Sequence, residues 1–200
     1  MIRAEYILNR KFKIFAEVAQ KYYDEFSAVA SDDLSYLNTF AQIEYIMSYT
    51  FLNTRNFEKS LFHLRKLEEL MTKSETVNMN YRGKRMAISS FIQVFDSKID
   101  IAIKETEVFL ENESNKISIQ ENLNLSLNLS AYHAMVGEYS KSMRILNFMS
   151  ESDKYYQKEM GREWLIRKEM ILAIIQYSLG NIDLCLKIMK NIEIKHKDML

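Results

Sequence analysis

The sequence predicts an all-α protein built from stacked helix pairs, and three observations support that fold class. The chain of 200 residues has no proline and four glycines, so the residues that usually interrupt helices are scarce. Apolar residues recur at three- and four-residue steps, which places them on one face of a helix. A corner pattern returns at spacings of 42, 40 and 43 residues, and such periods are typical of helical repeat arrays.

The first predicted element is one long N-terminal helix over residues 1–30. Its apolar face contains Phe12, Phe15, Ala19, Tyr22, Tyr23 and Phe26. The segment from Ser31 to Leu34 interrupts this helix and supplies N-cap residues for the next one. We expect a repeat array that forms a single structural unit over residues 34–200, with helices near 34–53, 57–73, 79–95, 99–112, 118–135, 139–150, 155–178 and 182–198.

Four turns within this array share one pattern. The turn residues are Arg55, Ser97, Gly137 and Gly180. An aromatic or β-branched residue follows each of them by two positions: Phe57, Ile99, Tyr139 and Ile182. A small residue comes three positions later: Ser60, Ala102, Ser142 and Cys185. Because a small side chain permits close approach and glycine adopts positive φ readily, we interpret each turn as a corner between two packed helices.

Two of these corners, MVGEYSKSMRIL and SLGNIDLCLKIM, resemble the second half of the tetratricopeptide repeat (TPR), marked by Gly-x-Tyr-x-x-Ala. The resemblance covers about residues 36–198. Its departures are Arg55 and Ser97 in place of glycine, and a repeat longer than the family's roughly 34 residues. Where the family prefers Trp, this chain has Glu44, Met86, Ser126 and Glu169. The resemblance implies a right-handed α-α superhelix of about four TPR-like helix pairs, preceded by the long N-terminal helix. The alternative is an irregular helical bundle.

Members of that family bind a peptide or a partner helix in a concave groove lined by the first helix of each pair. By register, the groove positions here are Tyr45, Tyr49, Phe91, Phe95, Leu127, Ala131, Ile174 and Tyr177. Tyr45 and Tyr49 stand where co-chaperone members carry the Lys and Asn of a carboxylate clamp, so an apolar groove for an amphipathic helix or a hydrophobic peptide is expected instead. The alternative is that neighbouring helices cover these side chains. We favour it for Leu127 and Ile174 and leave it open for the tyrosines.

Basic residues gather near the starts of two first helices. They are Arg82, Lys84 and Arg85, and then Arg162, Arg167 and Lys168. The ends of the preceding helices carry acidic residues: Glu68, Glu69, Glu75, Glu151 and Asp153. We expect ion pairs across each corner. The functional alternative is a basic rim that binds an acidic peptide or a phosphate.

Other function classes find little support in the sequence. The chain contains no phosphate-binding loop, nucleophile elbow or zinc-protease motif, so we expect no enzymatic activity and no cofactor. His63, His133 and His196 lack metal-ligand spacing, and we expect His133 and Cys185 in packed positions. The lone cysteine suits a reducing compartment, and hence a cytoplasmic location. Zero net charge argues against nucleic-acid binding, and the longest apolar run is too short for a membrane span.

The leading functional hypothesis is therefore a protein–protein interaction scaffold, either complete or a fragment of a larger repeat protein. The apolar final turn KHKDML favours the fragment, because a terminal repeat normally has a polar outer face. The alternative is a ligand- or peptide-sensing domain, similar to the helical-repeat halves of bacterial regulators. Trp164 is expected to pack between repeats in either case.

Overall fold

The protein is all-helical over the residues that the computed structural model describes, which are 12–29 and 36–197. These residues form ten α-helices and no strand. The helices are α1 (Phe12–Val29), α2 (Leu37–Asn53), α3 (Phe57–Lys73), α4 (Glu75–Phe95), α5 (Ile99–Glu113), α6 (Ile119–Met135), α7 (Tyr139–Phe148), α8 (Asp153–Met160), α9 (Arg162–Ser178) and α10 (Ile182–Lys195). The all-α prediction is confirmed. The capping segment Ser31–Leu34 and the last three residues lie outside the described ranges.

Polar side chains begin several of these helices by accepting an otherwise unpaired backbone N–H. Asn56 caps α3 in this way, and Ser74 caps α4. Ser118 and Glu121 form a capping box at the start of α6, each side chain bonding the other residue's backbone N–H. Because Ser74 caps α4, that helix begins at Glu75, one turn before the predicted residue 79.

The predicted helix 155–178 is wrong, because the chain forms two helices there. Gly161 separates α8 from α9 and has φ of 83°, a conformation that side chains with a Cβ rarely adopt. Ser152 caps the shorter helix, with its side chain accepting the N–H of Tyr155. Apolar periodicity continues through Gly161, which is why pattern alone does not reveal the break.

The described helices group into two compact units, Met1–Ser97 and Lys98–Leu200. In the first unit, α4 packs on α2 and α3, and α1 packs on α2. The buried side chains of its main core are Ala41, Leu52, Leu64, Leu67, Val77 and Ile88. A second cluster joins α1 to α2 through Ala16, Tyr23, Met47 and Phe51. A single array over residues 34–200 stays a prediction.

In the second unit, α9 packs on α6, α7, α8 and α10. The buried core consists of Leu127, Leu146, Met149, Tyr156, Trp164, Leu165 and Ile175. Trp164 is almost completely buried and lies near Tyr156, with ring centroids 5.1 Å apart. Trp164 is therefore a core residue of this unit, while its expected place between repeats and the superhelical arrangement stay predictions.

All four predicted corner residues have positive φ, although two of them are not glycine. The values are 59° at Arg55 and Ser97, and 80° at Gly137 and Gly180. At three corners the next residue's N–H bonds a carbonyl five residues back, as in a Schellman motif. These bonds run from Asn56 to Phe51, from Glu138 to His133 and from Asn181 to Gln176, each at 2.9 Å.

Three helix pairs have both helices in the same unit: α2–α3, α6–α7 and α9–α10. In each of them, two small residues face each other across the corner. Ser48 and Ser60 are completely buried, and each hydroxyl donates to the other's carbonyl at 2.8 Å. Ser130 and Ser142 repeat this arrangement at 3.2 and 2.7 Å. The same positions in the last pair are Ala173 and Cys185. These side chains allow the two helices to approach closely at the corner.

Candidate functional site

Six aromatic side chains of α2, α3 and α4 form what we name the aromatic surface of the first unit. They are Tyr45, Tyr49, Phe57, Tyr81, Phe91 and Phe95. Four of them were predicted groove residues, while Phe57 was predicted only as a corner residue. Tyr81 was not predicted, although it is ten and fourteen positions before Phe91 and Phe95 and therefore lies on the same side of α4.

The tyrosine half of this surface is partly covered. Tyr45 stacks on Tyr49 with ring centroids 6.1 Å apart and lies 5.7 Å from Tyr81. Phe12 of α1 approaches Tyr49 edge-on at 6.0 Å. Lys84 places its ammonium 4.8 Å from the centre of the Tyr81 ring, where the π face attracts a cation. Helices α1 and α4 thus cover part of the two predicted tyrosines.

The phenylalanine half is more open. Phe95 packs against Phe57 at 4.8 Å and against Phe91 at 4.9 Å. Phe95 keeps 50% of its surface exposed, and Phe91 keeps 36%. Together with the partly buried Phe57, these two exposed rings form an apolar patch that water solvates poorly and that a partner can bury.

The predicted groove residues of the second unit have different environments. Leu127 is buried in the core, as expected. Ile174 was expected to be covered, and that expectation is wrong because 54% of its surface is exposed. Tyr177, one turn later on α9, is also exposed. Apolar periodicity identifies such residues but does not show whether another helix packs over them.

In the first group of basic-rim residues, one ion pair crosses the corner as predicted, and another lies within α4. Arg85 Nε lies 3.5 Å from Glu68 Oε1 across the turn between α3 and α4. Arg82 Nη2 lies 3.7 Å from Glu75 Oε1. These contacts, together with the position of Lys84 over Tyr81, show that part of the rim's charge is used within the unit.

The second basic group makes other contacts. Arg162 donates to the carbonyl of Lys195 at 3.2 Å, and Arg167 donates to Asn124 Oδ1 at 3.3 Å. Lys168 donates to the carbonyl of Met149 at 3.2 Å, and its burial lowers the pKa of its ammonium. Asp153 pairs with Lys195 Nζ at 3.0 Å. The extra helix α8 begins at Asp153 and ends before Arg162, so it separates the predicted acidic residues from the basic group.

A buried polar network links three helices of the first unit. Lys66 Nζ donates to the Tyr23 hydroxyl at 2.7 Å, and that hydroxyl donates to Glu44 Oε1 at 2.7 Å. Glu44 Oε2 lies 2.7 Å from His63 Nδ1. Burial raises the pKa of Tyr23, and its hydrogen bond to Glu44 raises it further. Because both carboxylate oxygens of Glu44 have partners, we interpret the network as a cross-link between α1, α2 and α3.

Sequence reasoning missed this network. Glu44 stands out only as a charged residue where a large apolar residue is typical, and His63 follows it by 19 positions. A carboxylate at an inward-facing helix position was the available signal, because a buried charge requires a partner. The identity of that partner depends on packing between helices, which local pattern does not contain.

The second unit contains a different histidine network at the Gly137 corner. His133 is almost completely buried, as expected, with Nδ1 2.6 Å from Glu138 Oε2 and Nε2 3.2 Å from Glu107 Oε1. Lys141 also donates to Glu138 at 2.9 Å. These two hydrogen bonds, first that of Lys141 and then that of His133, lower the pKa of the Glu138 carboxyl group.

The second unit also contains a cavity of about 420 Å³ between α6, α7 and α8. Most of its lining is apolar, and Asn122, Ser126 and Glu151 contribute polar atoms. Ser126 donates to Asn122 Oδ1 at 3.2 Å, so one side of the polar lining is already ordered. Cavities of roughly 300–1,000 Å³ are the size at which proteins bind small molecules.

The described residues contain neither a candidate metal site nor a candidate membrane span. No group of three or more His, Cys, Asp or Glu side chains is placed to hold a metal ion. No helix within residues 12–29 and 36–197 combines the length and the apolar character that crossing a membrane requires. Comparisons of the chain with protein-family models, with curated proteins and with solved structures gave no match.

Proposed function

We propose that this protein is a non-catalytic interaction scaffold that binds a peptide or a partner helix on its aromatic surface. The observation that carries the proposal is the contact of Phe57, Phe91 and Phe95 at the exposed end of that surface. Aromatic side chains are enriched where proteins bind each other, because they bury a large area at a small entropic cost.

The form of the surface indicates the chemistry of the partner. The rings lie on helices rather than on loops, so little ordering is needed on binding. An apolar side chain buried against them gains roughly 1.5–3 kcal/mol. Lys84 lies at the tyrosine end and favours an acidic residue there. The expected ligand is therefore an amphipathic segment with apolar residues at helical spacing and an acidic residue at one end.

The experiment that tests this function compares two exposed positions of α4. Phe95→Glu replaces the ring that contacts both Phe57 and Phe91 with a carboxylate, whereas Met79→Glu changes an equally exposed apolar residue on the opposite side of the helix. Each variant is immobilised and used to capture partners from lysate of the source cells. We expect the wild type and Met79→Glu to retain one common protein that Phe95→Glu loses, with all three circular dichroism spectra alike. Equal retention by all three would contradict the proposed surface.

The cavity of the second unit supports a second candidate, a small-ligand or peptide sensor. A bound ligand raises the melting temperature by mass action, and a side chain that fills the cavity removes this effect. Ser126→Phe is the filling variant, because Ser126 lines the cavity. A panel of short peptides and metabolites that never raises the melting temperature of the wild type would count against this candidate.

A further inference from the structure

Six exposed apolar side chains lie at four- and three-residue steps on α9 and α10, and they are named here the end face. They are Met170, Ile174, Tyr177, Ile182, Leu186 and Met189, and each is 45–65% exposed. The buried apolar residues of these helices, Ala173, Ile188 and Ile192, point between α9 and α10 and form a separate cluster. The end face is thus additional to the apolar surface that holds the two helices together.

The repeat shows what covers the same positions elsewhere. In the first helix pair the six equivalent residues are Tyr45, Tyr49, Leu52, Phe57, Leu61 and Leu64. All of them belong to the core that α4 completes with Val77, Tyr81, Ile88 and Ile92. A third helix therefore packs across both members of this pair at the end-face positions.

The pair formed by α6 and α7 has the same arrangement. Its equivalent residues are Leu127, Ala131, Ala134, Tyr139, Met143 and Leu146. Five of these six belong to the core that α9 completes with Trp164, Leu165, Ile171, Leu172 and Ile175. In both pairs the occupant is an α-helix with apolar residues at three- and four-residue steps.

We infer that the end face is a self-association surface, on which α10 of a second copy takes the place that α4 and α9 take on the earlier pairs. An isologous pairing of this kind lets each copy cover the other's face. The six side chains expose on the order of 700 Å², close to the roughly 800 Å² per partner of a standard stable interface. This inference does not depend on the aromatic surface or on the cavity.

Charges beside the face favour an antiparallel pairing of the two α10 helices. Asp183 and Lys190 are exposed and seven residues apart, so they lie on the same side of α10, next to Ile182, Leu186 and Met189. Neither forms an ion pair with another residue that the structure describes. When two α10 helices run antiparallel about Leu186, Asp183 of each copy lies beside Lys190 of the other, and the pair forms twice.

A matched pair of substitutions on α10 tests the inference. Leu186→Lys places a charge in the end face. Leu184→Lys makes the same change on another side of the helix, at a position where the earlier pairs already have Lys59 and Lys141. In sedimentation equilibrium of the purified full chain, we expect a wild-type dimer at micromolar concentration and an unchanged Leu184→Lys dimer. Leu186→Lys should raise the dissociation constant by about tenfold or more.

Further variants on both helices keep the test decisive. Ile174→Lys changes the α9 side of the face and replaces Leu186→Lys if that variant does not fold by circular dichroism. Asp183→Lys and Lys190→Asp should each weaken the dimer, and the double reversal should restore it. A wild type that stays monomeric at every concentration overturns the inference. The face would then be a binding surface for a helix of another protein. Equal effects of Leu184→Lys and Leu186→Lys, or no rescue by the double reversal, also overturn it.

Discussion

The helix pair α2–α3 and the helix pair α6–α7 build the same corner from different residues. Both have a buried serine pair with reciprocal hydrogen bonds, and both have positive φ at the turn. The turn residue is Arg55 in one and Gly137 in the other, so glycine is not required for this geometry. The two corners share the positive φ and the close contact of small side chains, and we interpret that contact as part of what fixes the corner.

The pairs differ most at one inward-facing position. It holds Glu44 in the first pair and Ser126 in the second. Glu44 is buried and accepts a hydrogen bond from Tyr23 while contacting His63. Ser126 makes one local bond to Asn122. At this position the first pair therefore has a non-local polar network, whereas the second pair has a single local hydrogen bond.

The largest predicted effect is on the free energy of unfolding, and it should differ between the two pairs at this position. Glu44→Ala leaves buried partners of the carboxylate without an acceptor, so it should destabilise the protein by about 3–5 kcal/mol. Ser126→Ala should cost about 1 kcal/mol or less. Urea denaturation followed by circular dichroism measures both changes. Equal losses at the two positions would show that the Glu44 network contributes no special stability.

The next effect, the loss of stability when a corner serine is enlarged, should be the same in both pairs. Ser60→Val and Ser142→Val each replace a hydroxyl with two methyl groups at a completely buried helix contact, and each should cost about 1–3 kcal/mol. Ser60→Ala and Ser142→Ala are the controls, because alanine occupies the equivalent position at Ala102. They should cost about 1 kcal/mol, from the lost hydrogen bonds alone. A valine that is tolerated at only one corner would contradict a shared packing rule.

Local features of the sequence predicted the helices and the corners because the chain encodes them within a few residues. The turn at Arg55 and the small residue Ser60 are five positions apart, so their repetition is visible in the sequence. The partner of Ser60 is Ser48, on the previous helix, and its role became clear only from the packing. The break at Gly161 was missed because apolar residues continue on both sides of it.

The candidate surfaces were less predictable, because exposure depends on what packs over a residue. Phe95 and Tyr45 were both predicted groove residues, yet Phe95 is half exposed whereas Tyr45 packs against the core cluster of its unit. Likewise, Leu127 and Met170 are equivalent in the repeat, and only Leu127 is covered by a following helix. Periodicity identifies the apolar face of a helix, but it does not show which other helix, if any, packs over that face.

A smaller effect should distinguish the two turn residues. Arg55 has a Cβ in the left-handed region, which costs roughly 1–2 kcal/mol, while glycine avoids that strain and loses more entropy on folding. Arg55→Gly should therefore stabilise the protein by about 0.5–1 kcal/mol, and Gly137→Ala should destabilise it by about 1 kcal/mol. Denaturation midpoints of both variants measure the difference. Stabilisation by Gly137→Ala would contradict the positive φ at that corner.

The smallest effect concerns pH and the second histidine network. The pKa of Glu138 is lowered in the folded protein by hydrogen bonds from Lys141 and His133, so its charged form contributes stability above the unfolded pKa. That contribution should disappear as the pH falls through the lowered pKa of the folded state. Glu138→Gln should therefore melt below the wild type near neutral pH, and the two curves should converge once the pH falls below the lowered pKa of the folded state. Glu111→Gln, a change of an exposed carboxylate on α5, is the control and should follow the wild type throughout. A gap between Glu138→Gln and the wild type that persists into acid would assign the loss to packing rather than to the charge of Glu138.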